Sequence, residues 1–202
     1  MDIMLRLEEE KDFKIVENIT REAFWNVYKP GCNEHFILHN LRNSQAFIKE
    51  LDFVAEMDGS VVGNIVYSKG KVVDDDGMEH EVIGFGPISV LPSCQGKGIG
   101  EKLINHTVEM AKAMGFKAII IFGNPAYYHR FGFDNAEKFD IHTADGENFD
   151  AFMVKELSEG SLQGISGRFI ESDAFKVNSN EFEAFDMQFP PKEKKVTNTQ
   201  LE

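Results

Sequence analysis

The six residues Gln95-Gly96-Lys97-Gly98-Ile99-Gly100 stand three positions after Pro92 and run into a helix-like stretch. Glycines let the backbone bend so that several N–H groups converge on one point, and a helix N-terminus adds positive partial charge there. A pyrophosphate is the natural guest of such a loop; a glycine-rich turn that binds nothing is the plainer alternative. Two other phosphate loops fail on spacing. A P-loop ending in Gly96-Lys97 would need glycine where Leu91 stands and Ser or Thr where Gly98 stands. A dinucleotide fingerprint started at Gly96 reaches Glu101, and one started at Gly98 reaches Leu103, where glycine is required. His35 and His39 have a zinc-compatible spacing, but Phe36 follows His35, so HExxH is absent and no metal is expected. Cys94, beside the loop, reads as a small buried thiol.

Composition narrows the partners. The chain has 202 residues, 42% of them hydrophobic, which is enough for a core and fits one large domain or one domain with an extension. Its net charge of −13 argues against nucleic acid, whose phosphates need a basic face. It is compatible with a cationic substrate such as an amine, and equally with a plain acidic surface. Cys32 and Cys94 are far apart and read as reduced thiols, so the expected location is cytoplasmic. Met1 to Arg6 runs straight into Glu8-Glu9-Glu10, without the apolar stretch of a signal peptide. The longest aliphatic run, Ala118 to Phe122, suits a buried strand and is too short for a membrane. The terminal Leu201-Glu202 is given no functional weight.

The elements that must position the loop follow from periodicity. Ile3 to Leu7 predicts a first strand, and Asp12 precedes the helical spacing Phe13, Val16, Thr20, Ala23. Pro30-Gly31 closes a break, and a second helix from about Asn33 is expected to resume, after a kink near Asn43-Ser44, through Ile48. Asp58-Gly59 between two apolar runs is the strongest hairpin signal. A turn at 74–77 leads into a strand from about Glu81 to Val90. A helix from about Gly100 to Met114 presents Leu103, Ile104, Thr107, Val108, Ala111 and Met114 on one face, with Gly115 as its C-terminal cap. Lys117 to Phe122 predicts a strand, Asn124 to Arg130 a short helix, and Phe149 to Leu157 another strand. The expected division is a domain over 1–157, an extension packed on it over 158–190 and a flexible tail over 191–202.

Ile88-Ser89-Val90-Leu91-Pro92-Ser93-Cys94-Gln95-Gly96-Lys97-Gly98-Ile99-Gly100 resembles the central motif of the GNAT acetyltransferases, and Tyr128-His129-Arg130-Phe131-Gly132-Phe133 resembles their later Tyr and Gly-Phe motif. The run from Pro125 to Phe133 is also similar to a bacterial subgroup of that family. The resemblance covers roughly residues 3 to 135. It implies an α/β (α+β) fold: a mixed twisted β-sheet flanked by helices, whose central strands, ending near Val90 and beginning near Lys117, splay to admit acetyl-CoA as cosubstrate. Backbone groups of Ile88, Ser89 and Val90 would pair with the pantetheine arm like an added strand. The N–H groups of Gln95, Gly96, Lys97, Gly98, Ile99, Gly100 and Glu101 would hold the pyrophosphate. Asn124 stands at the family's CoA-contacting Asn, with four residues to Tyr128 instead of seven.

Tyr128 matches the family's general acid, since a phenol of pKa ~10 can protonate a thiolate whose conjugate acid lies near ~8.5. Aromatic packing beside Tyr127 and Phe131 is the other reading of this residue. Neither Gly84-Phe85-Gly86 nor Ile119 to Phe122 supplies a carboxylate base; Glu79 and Glu81 lie upstream and read as solvated strand-end charges. The resemblance thus implies acetyl transfer to a small-molecule or peptide amine, with no nucleic acid or membrane partner and with a homodimer left as an option. A non-catalytic CoA-binding module and a transferase of longer acyl groups remain the alternatives.

Overall fold

The computed structural model describes residues 2–200; Leu201 and Glu202, the end of the expected tail, lie outside them. Among the described residues nine strands form one mixed sheet, in the order β1-β2-β3-β4-β5-β8-β6, with β7 and β9 off that path, and helices flank it. In chain order these are β1 (Ile3–Leu7), α1 (Phe13–Phe24), α2 (Glu34–Arg42), β2 (Phe53–Met57), β3 (Ser60–Val73), β4 (Glu79–Val90), α3 (Ile99–Ala113), β5 (Ala118–Phe122), α4 (Pro125–Tyr128), β6 (Asp134–Asn135), β7 (Ile141–His142), β8 (Phe152–Glu156), β9 (Gly167–Ile170) and α5 (Ser179–Asp186). No helix of the described residues is long and apolar enough to cross a membrane. The chain divides into two compact units: residues up to Val66 with 87–103 and those from Asp173 on, and residues 67–86 with 104–172.

In the first unit β1 pairs antiparallel with β2, from Ile3↔Met57 to Leu7↔Phe53, and β2 pairs with β3 through the Asp58-Gly59 turn. Both turn residues have positive φ, 52° and 77°, the backbone twist that a two-residue hairpin requires. The apolar faces of α1 and α2 bury Val16, Leu38 and Leu41 against Val54 and Val66. Ahead of α1, Asp12 is clamped by the Arg6 guanidinium at 2.6 and 3.0 Å and accepts the Glu9 N–H. The helix does not resume through Ile48. It stops at Asn43, whose side chain donates to the His39 carbonyl, while Ser44 Oγ accepts the Ala46 N–H; both offer the backbone an alternative to the helical ladder.

The segment after Asp173 is fastened to this unit by side chains. Arg21, buried, donates from Nε to Asp186 Oδ1 at 2.7 Å and from Nη1 to the Pro190 carbonyl at 3.2 Å. Phe185 and Phe189 pack with Phe36. The residues expected as a tail make hydrogen bonds to the turn after α1: Trp25 Nε1 and Asn26 Nδ2 donate to the Glu193 carbonyl, and Thr199 Oγ1 to that of Val27.

In the second unit β4 pairs in parallel with β5 at Ile83↔Ile119, and β5 pairs antiparallel with β8 from Ala118↔Glu156 to Phe122↔Phe152. β9 pairs with β3 over Lys71–Val73 and in parallel with β7. Val82, Ala118, Ile120, Phe152, Val154 and Phe169 are among the residues of its apolar core.

Candidate functional site

In the first unit, β4 ends at Val90, a 3₁₀ turn with Pro at its first position spans Pro92–Cys94, and the glycine loop carries the chain into α3. Gly96 and Gly98 have φ of 74° and 78°, and a Cβ at either would meet nothing within 4 Å. The backbone conformation requires glycine here, and the space above both residues is open. The first helical bond runs from the Lys102 N–H to the Gly98 carbonyl at 3.0 Å, so the N–H groups before Lys102 have no intrahelical acceptor. The loop's long side chains fold back, Gln95 Nε2 onto the Val90 carbonyl at 3.1 Å and Lys97 Nζ onto that of Ser93 at 3.2 Å. Glu101 lies exposed in the first turn of α3. Together the helix end and the unpaired N–H groups make a site that can accept an anion.

Ile88 and Val90 are half-buried on β4, while Ser89 points into a buried cluster. Its hydroxyl bonds to Asn64 Oδ1 and to Thr20 Oγ1, the latter at 3.0 Å. Thr20 Oγ1 lies 3.3 Å from the same Asn64 oxygen, and Asn64 Nδ2 has no partner. The Ser89 side chain is therefore committed inside the fold, and only its backbone remains for a ligand. The sequence reading did not single out this cluster. Its signal was Asn64 in the otherwise apolar run Val61 to Tyr67.

In the second unit, Asn124 caps α4: its Oδ1 accepts the Ala126 N–H at 3.0 Å, and Pro125 fills the first helical position. The Asn124 amide nitrogen is left as a donor. Tyr128, half-buried, ends this helix with its ring against the backbone of Gly123, where a Cβ would come within 2.3 Å of the ring. Phe85 and Phe133 lie 5.8 Å from it, centroid to centroid, and Tyr127 5.0 Å. Gly132, at φ 79°, turns the chain away.

The remaining candidates have ordinary partners. Glu79 and Glu81 are more than half exposed and pair with Lys71 and Lys69. His39 Nδ1 lies 3.0 Å from Glu17 Oε1. His35 Nε2 lies 3.0 Å from Asp186 Oδ1, and burial pulls its pKa down to about 4 against the opposing pull of Asp186. Cys32 is buried beside it, with its thiol pushed up to about 12 by burial. Cys94 is buried and free.

Residues 15–133 match the acetyltransferase (GNAT) family. The uncharacterized N-acetyltransferase YhbS of Escherichia coli K12 is 28% identical over 166 residues, 82% of this chain and 93% of that protein. The crystal structure of E. coli YhbS in complex with CoA superimposes with a TM-score of 0.76 at 25% identity, covering 86% of this chain and 91% of that one. A GNAT family acetyltransferase from Brucella melitensis in complex with acetyl-CoA gives a TM-score of 0.70 at 28% identity, covering 87% and 99%. Matched over more than half its length, and with the mixed sheet and flanking helices of those structures, this chain belongs to the acetyltransferase (GNAT) family and is an acyltransferase.

Proposed function

We propose that the chain moves an acetyl group from acetyl-CoA to a primary amine by direct attack in a ternary complex. The observation that carries this reading is the open glycine loop, with two residues at positive φ and unpaired N–H groups at the start of a 15-residue helix. The N–H groups of Gln95 to Glu101 hold the pyrophosphate, the backbone of Ile88, Ser89 and Val90 pairs with the pantetheine arm, and the Asn124 amide nitrogen donates to the cosubstrate. The backbone N–H near Ile88 stabilises the oxyanion as the amine attacks the thioester carbonyl. Tyr128 then gives its phenolic proton to the departing thiolate sulfur. Glu79 and Glu81 are turned to solvent and paired with lysines, so the amine proton leaves through water or the free amine is selected from solution. The two reduced thiols suit action in the cytoplasm.

Acetyl-CoA at ~100 times its Kd should add ~2.7 kcal/mol to the stability of the protein, read as a thermal shift. Gly98→Asp should abolish the shift, because a carboxylate and a strained positive φ replace the open glycine. Absence of a shift in the wild type overturns the proposal. Tyr128→Phe should lower kcat by ~10²-fold or more with the shift retained; unchanged turnover would return Tyr128 to a packing role.

A further inference from the structure

Asn64 is fully buried on β3, in a run that is otherwise apolar from Val61 to Tyr67. Its Oδ1 accepts the Ser89 hydroxyl from β4. The Thr20 hydroxyl of α1 lies 3.3 Å from that oxygen and 3.0 Å from Ser89 Oγ. All three side chains are buried, so they form a closed polar hub between α1, β3 and β4. The hub is incomplete. Asn64 Nδ2 is enclosed and finds no acceptor among the described residues, and turning the amide over would only strand the oxygen in its place. A leucine has the same branched outline and strands nothing, while the Thr20 and Ser89 hydroxyls still reach each other. On these grounds leucine is the more stable residue at position 64, and the amide needs a reason beyond the core.

What the hub holds supplies that reason. Ser89 stands between Ile88 and Val90, and a fixed side chain there fixes the peptide groups on either side. β3 also comes close at this point. A Cβ at Gly63, the neighbour of Asn64, would lie 2.8 Å from the Ser89 carbonyl oxygen, and the Leu91 N–H donates to the Val62 carbonyl at 2.8 Å. In a trans peptide the carbonyl points opposite to the N–H. With the Leu91 N–H turned to β3, the Val90 carbonyl faces away from β3, where Gln95 Nε2 meets it at 3.1 Å. The edge of β4 turned from β3 is thus set by what grips Ser89 from behind. α1 braces the grip, because Arg21, the residue after Thr20, is held by Asp186 and by the Pro190 carbonyl.

We propose, resting on the acetyltransferase reading above, that Asn64 is a positioning residue for the cosubstrate. Through Ser89 it sets the β4 backbone that pairs with the pantetheine arm, and it plays no part in holding the pyrophosphate. Two ligands separate these roles: acetyl-CoA, and ADP carrying a 3′-phosphate, which keeps the pyrophosphate and lacks the pantetheine arm. In calorimetry, Asn64→Leu should weaken acetyl-CoA ~10-fold and leave the nucleotide within ~2-fold of the wild type. Its unfolding midpoint without ligand should be no lower than that of the wild type. Ser89→Ala should lose the same factor for acetyl-CoA, and the double variant no more than either alone. Thr20→Val keeps the bond between Asn64 and Ser89 and should show the same split at ~3-fold, which gives the reading even if leucine prevents folding. An equal loss for both ligands, or an unchanged acetyl-CoA affinity, overturns the proposal while leaving the cosubstrate reading intact. A lower midpoint with unchanged acetyl-CoA affinity would make Asn64 a core residue and nothing more. A wild type that binds neither ligand is instead a failure of the cosubstrate reading, and this proposal falls with it.

Discussion

Glu8, Asp12, Glu17, Arg21, His35 and Asp52 are all buried, and all belong to the unit formed by residues up to Val66, 87–103 and those from Asp173 on. The unit of residues 67–86 and 104–172 buries, among its described polar side chains, only Ser68 and Thr107. Its interior is otherwise aliphatic and aromatic. The two units therefore respond to different insults. A core of charges tolerates little change in its partners, because a buried charge left alone costs far more than the pair contributes. A core of hydrocarbon is sensitive to volume and indifferent to pH.

The largest effect expected from this contrast is at Asp186, which holds Arg21 at 2.7 Å and His35 at 3.0 Å. Asp186→Ala should cost about 3–5 kcal/mol in denaturant unfolding, since it strands the Arg21 guanidinium. The double variant Arg21→Met with Asp186→Leu should recover much of that loss. A single variant that costs less than about 1 kcal/mol would mean the pair is solvated and the contrast is wrong.

A smaller effect separates the units by pH. His35 is kept neutral by burial, with its pKa down to about 4 against an ordinary 6.5. As pH falls from 6.5, the unfolded chain takes up the proton before the folded one, so this group's contribution to stability is lost between 6.5 and 4. Asp52 acts with the opposite sign: burial and its hydrogen bond to Glu8 hold its carboxyl well above the usual range, so its contribution declines as pH rises. The informative quantity is thus the difference between wild type and His35→Gln. It should change by about 3 kcal/mol at most between pH 7 and pH 4, and a flat difference would remove His35 as its source.

The smallest effect belongs to the apolar unit. Tyr67, fully buried, shares a 2.9 Å hydrogen bond with Thr107, whose hydroxyl also reaches the Ile104 carbonyl. Tyr67→Phe should cost about 1 kcal/mol, equally at pH 5 and pH 8. A cost that varies with pH would show that charge reaches this interior as well.

What could be read from the sequence was local. The Asp58-Gly59 hairpin, the periodic face of α3 and the glycine loop all declare themselves within a few residues. The helix expected through Ile48 failed because Asn43 and Ser44 compete for backbone groups at the point where apolar spacing alone suggested continuation. β9 and α5 escaped notice for another reason. β9 is four residues long and pairs with Lys71–Val73, almost a hundred positions earlier, while α5 is fixed by an arginine 165 residues away.

The Arg21–Asp186 pair also sets an order of events during synthesis on the ribosome. Arg21 emerges early and must wait for 165 further residues before its partner exists. By the time Asp186 itself leaves the tunnel, every segment of the apolar unit, complete by Ser172, has already done so. The part of the protein that is translated first is therefore finished last, and until Asp186 appears the nascent chain displays a guanidinium and an apolar helix face built for a partner not yet made.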